Sequence, residues 1–598
     1  MDTRIGMGEA GGSGATSAPD NAPSSATGRQ RPVLTSRMSS AEGPLQGLGR
    51  RLPGTPETLL RGFGEQMGWE SRRALRLAAG KQHDPRGLVP VLHRVAAYGT
   101  RSLHITEAAD IETALRIHGA GGIDDITLSG ETVTDAHLGK LPRNLKSLRL
   151  EGCTNVTAAG LRSHLGEMKQ LETISLLNGR HDDDALSFLG ALPRLQHIDL
   201  EGNRATHTSA RMFAQHPALR SLNLNDNPFG DTGTRILTDT AVAHGSSKLT
   251  SLDAMECDVH DVGALALAEH PTLTRINIAA NHANDAGVRA LLANPRLRAL
   301  DVSANAFGMA VLRDVAGNTT LEHVGLRSVG LDDPEARVIA TNTHLQSLDV
   351  SGNNICFDGA RALARQPTLR ALDIDENPIG NLGLEALSGA QLNTLHARSC
   401  GILRDGAIAF AMRNRTVQTL SLSFNEVDSE GIAAFARHPS VRHLEAICCN
   451  VDAPGAALIA QNPRLKSLDL SFNRLGNQGA RALAAHPSME NLRLERTRID
   501  ASTLVYFAKN RALKRLDLSR NTIDRGLAAA FGTHPTMQYL ALDDVGLPES
   551  EARDLAKNHR LLRISVAENG LSAEALQQLT KHRGDRNEWL MATRPLII

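Results

Sequence analysis

Aromatic side chains are scarce in this 598-residue chain, at 3% against 41% hydrophobic residues. One bulky globular core is thereby excluded, and the interior has to be built from Leu, Ala, Ile and Val in thin layers. Cysteine is also sparse, with six in the chain, no C-x-x-C pair and Cys448–Cys449 adjacent. That argues against a disulfide framework and a zinc site, and for a reducing compartment. An excess of one charge is absent: Lys+Arg and Asp+Glu are 65 each, for a formal net charge of +0. The balance gives no electrostatic case for nucleic acid or an anionic membrane as partner. No apolar run approaches the roughly 20 residues that span a bilayer. No charged segment followed by an apolar one opens the chain, so no Sec-type signal is visible. No H-E-x-x-H, Walker-type G-x-x-x-x-G-K-[ST] or G-x-S-x-G motif occurs. No catalytic residue, metal or cofactor is therefore singled out.

Regularity is what the chain has in abundance. An L-x-x-L-x-L core begins at Leu145, Leu171, Leu195, Leu219, Leu249, Leu273, Leu297, Leu321, Leu345, Leu369, Leu392, Val417, Val441, Leu465, Met489, Leu513, Met537 and Leu561. Of the 17 intervals, 13 are 24 residues and the others are 26, 30, 23 and 25, which chance does not produce. Degenerate copies at Ile123–Leu128 and Thr100–Ile105 extend the array. Each core reads as a short strand with its leucines inward. The second half reads as a helix of small residues, as in Gly359-Ala360-Arg361-Ala362-Leu363-Ala364 and again over Gly479–Ala484. Prolines such as Pro367 help stop the helix. The expected fold is α/β: a leucine-rich-repeat solenoid, a curved horseshoe with parallel strands on the concave face and helices on the convex face.

Eight residues after the first core residue stands Asn in ten copies: Asn203, Asn227, Asn281, Asn305, Asn353, Asn377, Asn425, Asn473, Asn521 and Asn569. A buried amide there can bond backbone groups of a turn that water does not reach, and stacked copies make a ladder. Cys153, Cys257, Cys400 and Cys449 take the same place in other copies, which makes them structural. From Val417 onward the Asn occurs in every second copy, with Cys449, Thr497 and Val545 between, a 48-residue double unit. His216, His270, His438, His486 and His534 all precede Pro, three residues before a core begins. A residue that recurs by register belongs to the architecture.

The position between the last two core residues should lie exposed on the strand face. It is Asp199, Asn223, Asp253, Asn277, Asp301, Asp349, Asp373, Asp469 and Asp517 in nine copies, an acidic stripe. Lys146, Arg220, Arg298, Arg370, Arg442, Lys466 and Lys514 follow the first core residue as a neighbouring basic column. Consensus drift with mutual charge compensation explains such columns; the functional alternative is a groove for a polar partner with basic groups. Tyr539 on a strand is a candidate anchor, whereas Phe424 and Phe472, just before the ladder Asn, read as a buried spine.

The repeated G-A-x-A-L-A tract resembles the GALA proteins, leucine-rich-repeat effectors that plant-pathogenic bacteria inject by type III secretion; the resemblance covers about 120–580. It implies an F-box ahead of the repeats. The helical block at 52–98 resembles a degenerate one, with Pro56, Glu57, Leu59, Leu60 and Phe63 fitting its opening segment and Leu75, Arg76 and Leu77 a later one. An F-box docks on the Skp-type adaptor of a cullin ubiquitin ligase. The resemblance thus implies a monomeric, non-enzymatic substrate receptor in the host cytoplasm or nucleus, holding a host protein on its concave face. Alternatively the block only caps the solenoid and the chain sequesters its target; a Ran-type GTPase activator is a third possibility. Around these segments, residues 1–50 read as a disordered leader or secretion signal, 100–580 as repeats and 581–598 as a C-terminal cap.

Overall fold

The computed structural model describes residues 102–105 and 123–579 apart from residue 559. The leader, the block at 52–98 and the segment after 580 lie outside these residues, so Pro56, Glu57, Leu59, Leu60, Phe63, Leu75 and Leu77 are not described. A 20-stranded sheet runs from Ser102–Ile105 to Arg563–Ser565. Each strand pairs in parallel with the next along the chain, as Ser347–Asp349 does with Ala371–Asp373. Helices connect them, so the molecule is an open strand–helix solenoid with one layer of each. Among the described residues no helix is long and apolar enough to cross a membrane.

One copy shows why the sequence folds this way. Leu345, Leu348 and Val350 are wholly buried, and Ser347 and Asp349 alternate with them along the strand. The helix Phe357–Leu363 then buries Ala360 and Leu363 against the same layer. Each fully buried Leu is worth about 1.5–3 kcal/mol, so the repeated leucines supply the main stabilisation. Gly479 shows what the small-residue tract is for. A Cβ added there would stand 3.1 Å from Ala456 Cβ and 3.3 Å from Ala453 Cα, so the absent side chain lets consecutive helices touch. The irregular intervals are absorbed on the helical side. The 30-residue copy (Leu219 to Leu249) carries the long helix Gly230–His244, yet Ser221 still pairs with Ser251.

The asparagine ladder exists and is buried. Asn353 donates from Nδ2 to the carbonyls of Leu326 (2.9 Å), Val350 (2.8 Å) and Ser351 (3.1 Å), and its Oδ1 accepts from Val329 N and Leu331 N of the preceding copy. The four ladder cysteines are buried free thiols, each with Sγ near a backbone carbonyl of the preceding copy, as Cys449 to Leu422 O at 3.1 Å. Burial pushes Cys153 up to about 11 and Cys257, Cys400 and Cys449 to about 12.

The alternation of the ladder follows a rule. Asn281, Asn353, Asn425, Asn473, Asn521 and Asn569 stand after Cys257, Val329, Cys400, Cys449, Thr497 and Val545, and each accepts two backbone N–H groups. Asn227, Asn305 and Asn377 stand after another Asn and accept one. One amide therefore serves two turns in these six copies, whereas Asn203, which follows Gly179, accepts only His181 N.

A second ladder closes the helix-to-strand turn. The recurring histidines occupy it: His216 Nε2 is 3.0 Å from Leu192 O and His486 Nε2 is 2.8 Å from Asn462 O, while Nδ1 faces backbone N–H groups. Burial lowers the pKa of all five, so each is held as the neutral ring. In the C-terminal half they alternate with Asn414, Asn462, Asn510 and Asn558, whose amides bond the preceding copy in the same way. The sequence signal for these asparagines, three residues before a core, was there to be read beside the histidines.

Candidate functional site

The third position of each strand forms a continuous column along the sheet. Its register runs Asp199, Asn223, Asp253, Asn277, Asp301, Gly325, Asp349, Asp373, His396, Ser421, Glu445, Asp469, Arg493, Asp517. Neighbouring members sit one strand spacing apart, about 4.8 Å. Selecting Asp and Asn alone missed His396, Glu445 and Arg493, which complete it. Tyr539 opens its strand and so stands in the first-position column, beside Arg515.

Much of this column is occupied with its own turn. The side-chain oxygen of Asn223, Asn277, Asp301, Asp349, Asp373, Asp469 and Asp517 accepts from the backbone N–H two residues on, at 2.8–3.0 Å. This Asx turn ends the strand and explains why the column favours Asp and Asn. In each aspartate one carboxylate oxygen remains for other contacts.

None of the nine Asp and Asn members is exposed as expected: seven are half-buried and two are buried outright. Asp469 is 3% exposed and Asp517 0%. Arg493 lies between them in register, with Nη1 3.1 Å from Asp469 Oδ2 and Nε 3.9 Å from Asp517 Oδ2. A buried guanidinium between the two carboxylates neutralises that part of the face, so they serve the fold. Burial still pushes Asp517 up to about 6.

The middle of the column is different. Burial and the neighbouring Asp373 push Asp349 up to about 6 and Asp375 to about 7. His396 Nδ1 stands 3.3 Å from Asp373 Oδ2 and has its pKa raised: burial, the largest single cause, lowers it, but the hydrogen bond to Asp373 and the charges of Asp373, Asp375 and Glu445 together outweigh burial. Asp375 accepts from Arg398 N at 2.6 Å. The patch thus crowds carboxylates whose charge is only partly balanced.

Beside it stands an aromatic that the sequence reading placed in the core. Phe424 is 44% exposed and Phe472 partly exposed, so neither forms a buried spine. The reason is backbone geometry. The residue before the ladder Asn is left-handed throughout, with φ 58° at Phe424 and 61° at Phe472, which turns the side chain outward. Holding a bulky residue there costs on the order of 1–3 kcal/mol. Arg398 lies over the Phe424 ring at 4.4 Å, Arg496 over Phe472 at 5.9 Å and Arg515 over Tyr539 at 4.5 Å.

Part of the basic column is engaged locally, and its three lysines compensate charge. Arg298 and Arg370 donate to carbonyls of their own turns, Lys466 and Lys514 pair with Glu490 at 3.3 and 2.6 Å, and Lys146 is 3.8 Å from Asp124.

Two family models described as leucine-rich repeats match the chain, one at residues 169–229 and the other at 245–268, 341–364, 365–388, 413–436 and 461–484. The matched segments are leucine-rich repeats, in keeping with the strand–helix solenoid. No curated protein sequence matches the chain. The leucine-rich-repeat array is similar to the mouse RP105/MD-1 complex at 14% identity, covering 77% of this chain and 82% of that one, with a TM-score of 0.38. An internalin from Listeria monocytogenes aligns at 15% identity over 64% of this chain and 88% of that one, TM-score 0.34. The plant peptide hormone receptor RGFR1 in complex with RGF2 aligns at 18% over 79% and 81%, TM-score 0.35.

Proposed function

We propose that this leucine-rich-repeat protein is a protein-binding module whose strand face takes a basic segment of its partner. The carrying observation is the patch made by Asp349, Asp373, Asp375, His396, Arg398 and Phe424. Crowded carboxylates gain by meeting a cation, and an outward phenylalanine held at a strained φ supplies an apolar anchor. The test is fluorescence anisotropy of the full chain with labelled Lys/Arg-rich and Asp/Glu-rich peptides. Preferential binding of the basic peptides, weakened at least about tenfold by Phe424→Ala or Asp349→Asn, supports the proposal; a tenfold loss corresponds to about 1.4 kcal/mol. Equal binding of both peptide classes, or an unaffected Phe424→Ala, refutes it.

On the resemblance of 52–98 to an F-box, we further propose that an injected bacterial effector of this kind presents its bound host protein to a Skp-type adaptor. Purified adaptor should be retained by the full chain and lost when Leu59, Leu60 and Leu75 become Ala. Equal retention by that variant removes the F-box idea and leaves a module that only masks its target.

A further inference from the structure

Outside the strand face, the turn between strand and helix brings together three ligating side chains from two copies. Asp258 and His260 follow the ladder Cys257, and His282 follows the ladder Asn281. A parallel backbone bridge joins residues 260 and 282, and His282 N donates to Val259 O at 2.9 Å. The two imidazole rings consequently lie with centroids 4.9 Å apart. His282 Nε2 is 3.8 Å from Asp258 Oδ1, and one ligating atom from each of the three residues lies within 4.8 Å of the other two.

The cluster is supported from behind. Asp231 Oδ2 lies 3.6 Å from His260 Nδ1. Its other oxygen accepts from His260 N at 2.8 Å and Gly263 N at 2.9 Å, which fixes the carboxylate beside the ring. At 3.6 Å this carboxylate is an ion-pair neighbour of the ring rather than its hydrogen-bond acceptor, and a small rotation would let it take the Nδ1 proton and orient the ring for a metal. Stacking does not impose these residue types. Equivalent bridges elsewhere pair Asp182 with Arg204, Leu403 with Glu426, Asp452 with Arg474 and Asp500 with Thr522.

We propose that Asp258, His260 and His282 bind one divalent transition-metal ion. Two imidazoles and a carboxylate form a borderline donor set that suits zinc, nickel or copper rather than calcium or magnesium. Metal–ligand bonds of about 2.0–2.2 Å require the donor atoms to draw about 1 Å closer than they stand. The three side chains are exposed, so rotation of their own torsions supplies that movement. Three protein ligands leave the remaining positions of the ion open to water or to a donor from a partner.

The experiment is calorimetric titration of the full chain with zinc chloride, beside His260→Ala, His282→Ala, the double variant and Asp231→Asn. Far-UV circular dichroism and thermal unfolding of each variant confirm that it is folded. Cobalt substitution supplies a second readout through its visible absorption. The wild-type chain should bind with a stoichiometry that falls by one equivalent in the double variant. Asp231→Asn should retain that equivalent with affinity weakened about 10–100-fold. The cobalt spectrum should lose intensity in parallel. An unchanged stoichiometry in the folded double variant, or a cobalt spectrum indifferent to both histidines, overturns the assignment.

Discussion

Asn353 and Asn377 are neighbouring rungs of one ladder, and replacing each by Ala isolates a single hydrogen bond. Both amides donate to three carbonyls. They differ in what they accept: Asn353 takes Val329 N and Leu331 N, whereas Asn377 takes Ile355 N alone. Asn353→Ala therefore strands one more N–H group than Asn377→Ala. An N–H left without a partner away from water costs about 1–3 kcal/mol. The extra loss is local, and a stacked array need not unfold in one step, so amide exchange by mass spectrometry is the suitable assay. Peptides containing Val329 and Leu331 should lose protection in Asn353→Ala by about 5–150-fold at each amide. In Asn377→Ala the loss should centre on Ile355 and leave Val329 protected. Undiminished protection of Val329 in Asn353→Ala would refute the rule that one amide serves two turns.

Other outcomes follow from the same structure. Arg493→Met should destabilise the C-terminal repeats by about 3–5 kcal/mol at neutral pH, because Asp469 and Asp517 stay buried without the guanidinium. Asp517 already has its pKa raised to about 6, so its ionisation opposes folding. Stability lost in the variant should grow as pH rises through 6 and be recovered toward pH 4, as read by urea unfolding at each pH. Binding of a basic peptide should strengthen between pH 5.5 and 7.5, because a cation favours the ionised forms of Asp349 and Asp375, whose free values are about 6 and 7; pH-independent anisotropy titrations would contradict this. Iodoacetamide should label the exposed Cys356 in the native chain, while Cys153, Cys257, Cys400 and Cys449 should react only after denaturation, as peptide mapping will show.

The core and the first ladder were legible in the sequence because each obeys a one-dimensional register: a leucine or asparagine recurs at a fixed interval and has one place to go. The same register read for side-chain type alone went astray where backbone conformation or neighbours decide. Phe424 and Phe472 look like core residues until the left-handed φ of their position turns them outward. Asp469 and Asp517 look exposed until Arg493 is placed between them by strand pairing. The His260–His282–Asp258 cluster joins two copies, and neither copy contains it alone. His396 escaped notice because it interrupts the Asp pattern, although a break in a column is where a distinct role is most easily housed.

The two-turn reach of the ladder amide makes the C-terminal repeats unequal as units of inheritance. Losing the copy that carries Thr497 would leave Asn473 followed by Asn521, an arrangement already present at Asn353 and Asn377. Losing the copy that carries Asn473 would set Thr497 after Cys449 and orphan the N–H groups of Cys449 and Val451. Loss of length in this half should therefore proceed by pairs or by the copies without asparagine, and gain by pairs or by copies that carry one, so that the array spells a two-letter word in which the asparagine-free letter is never doubled.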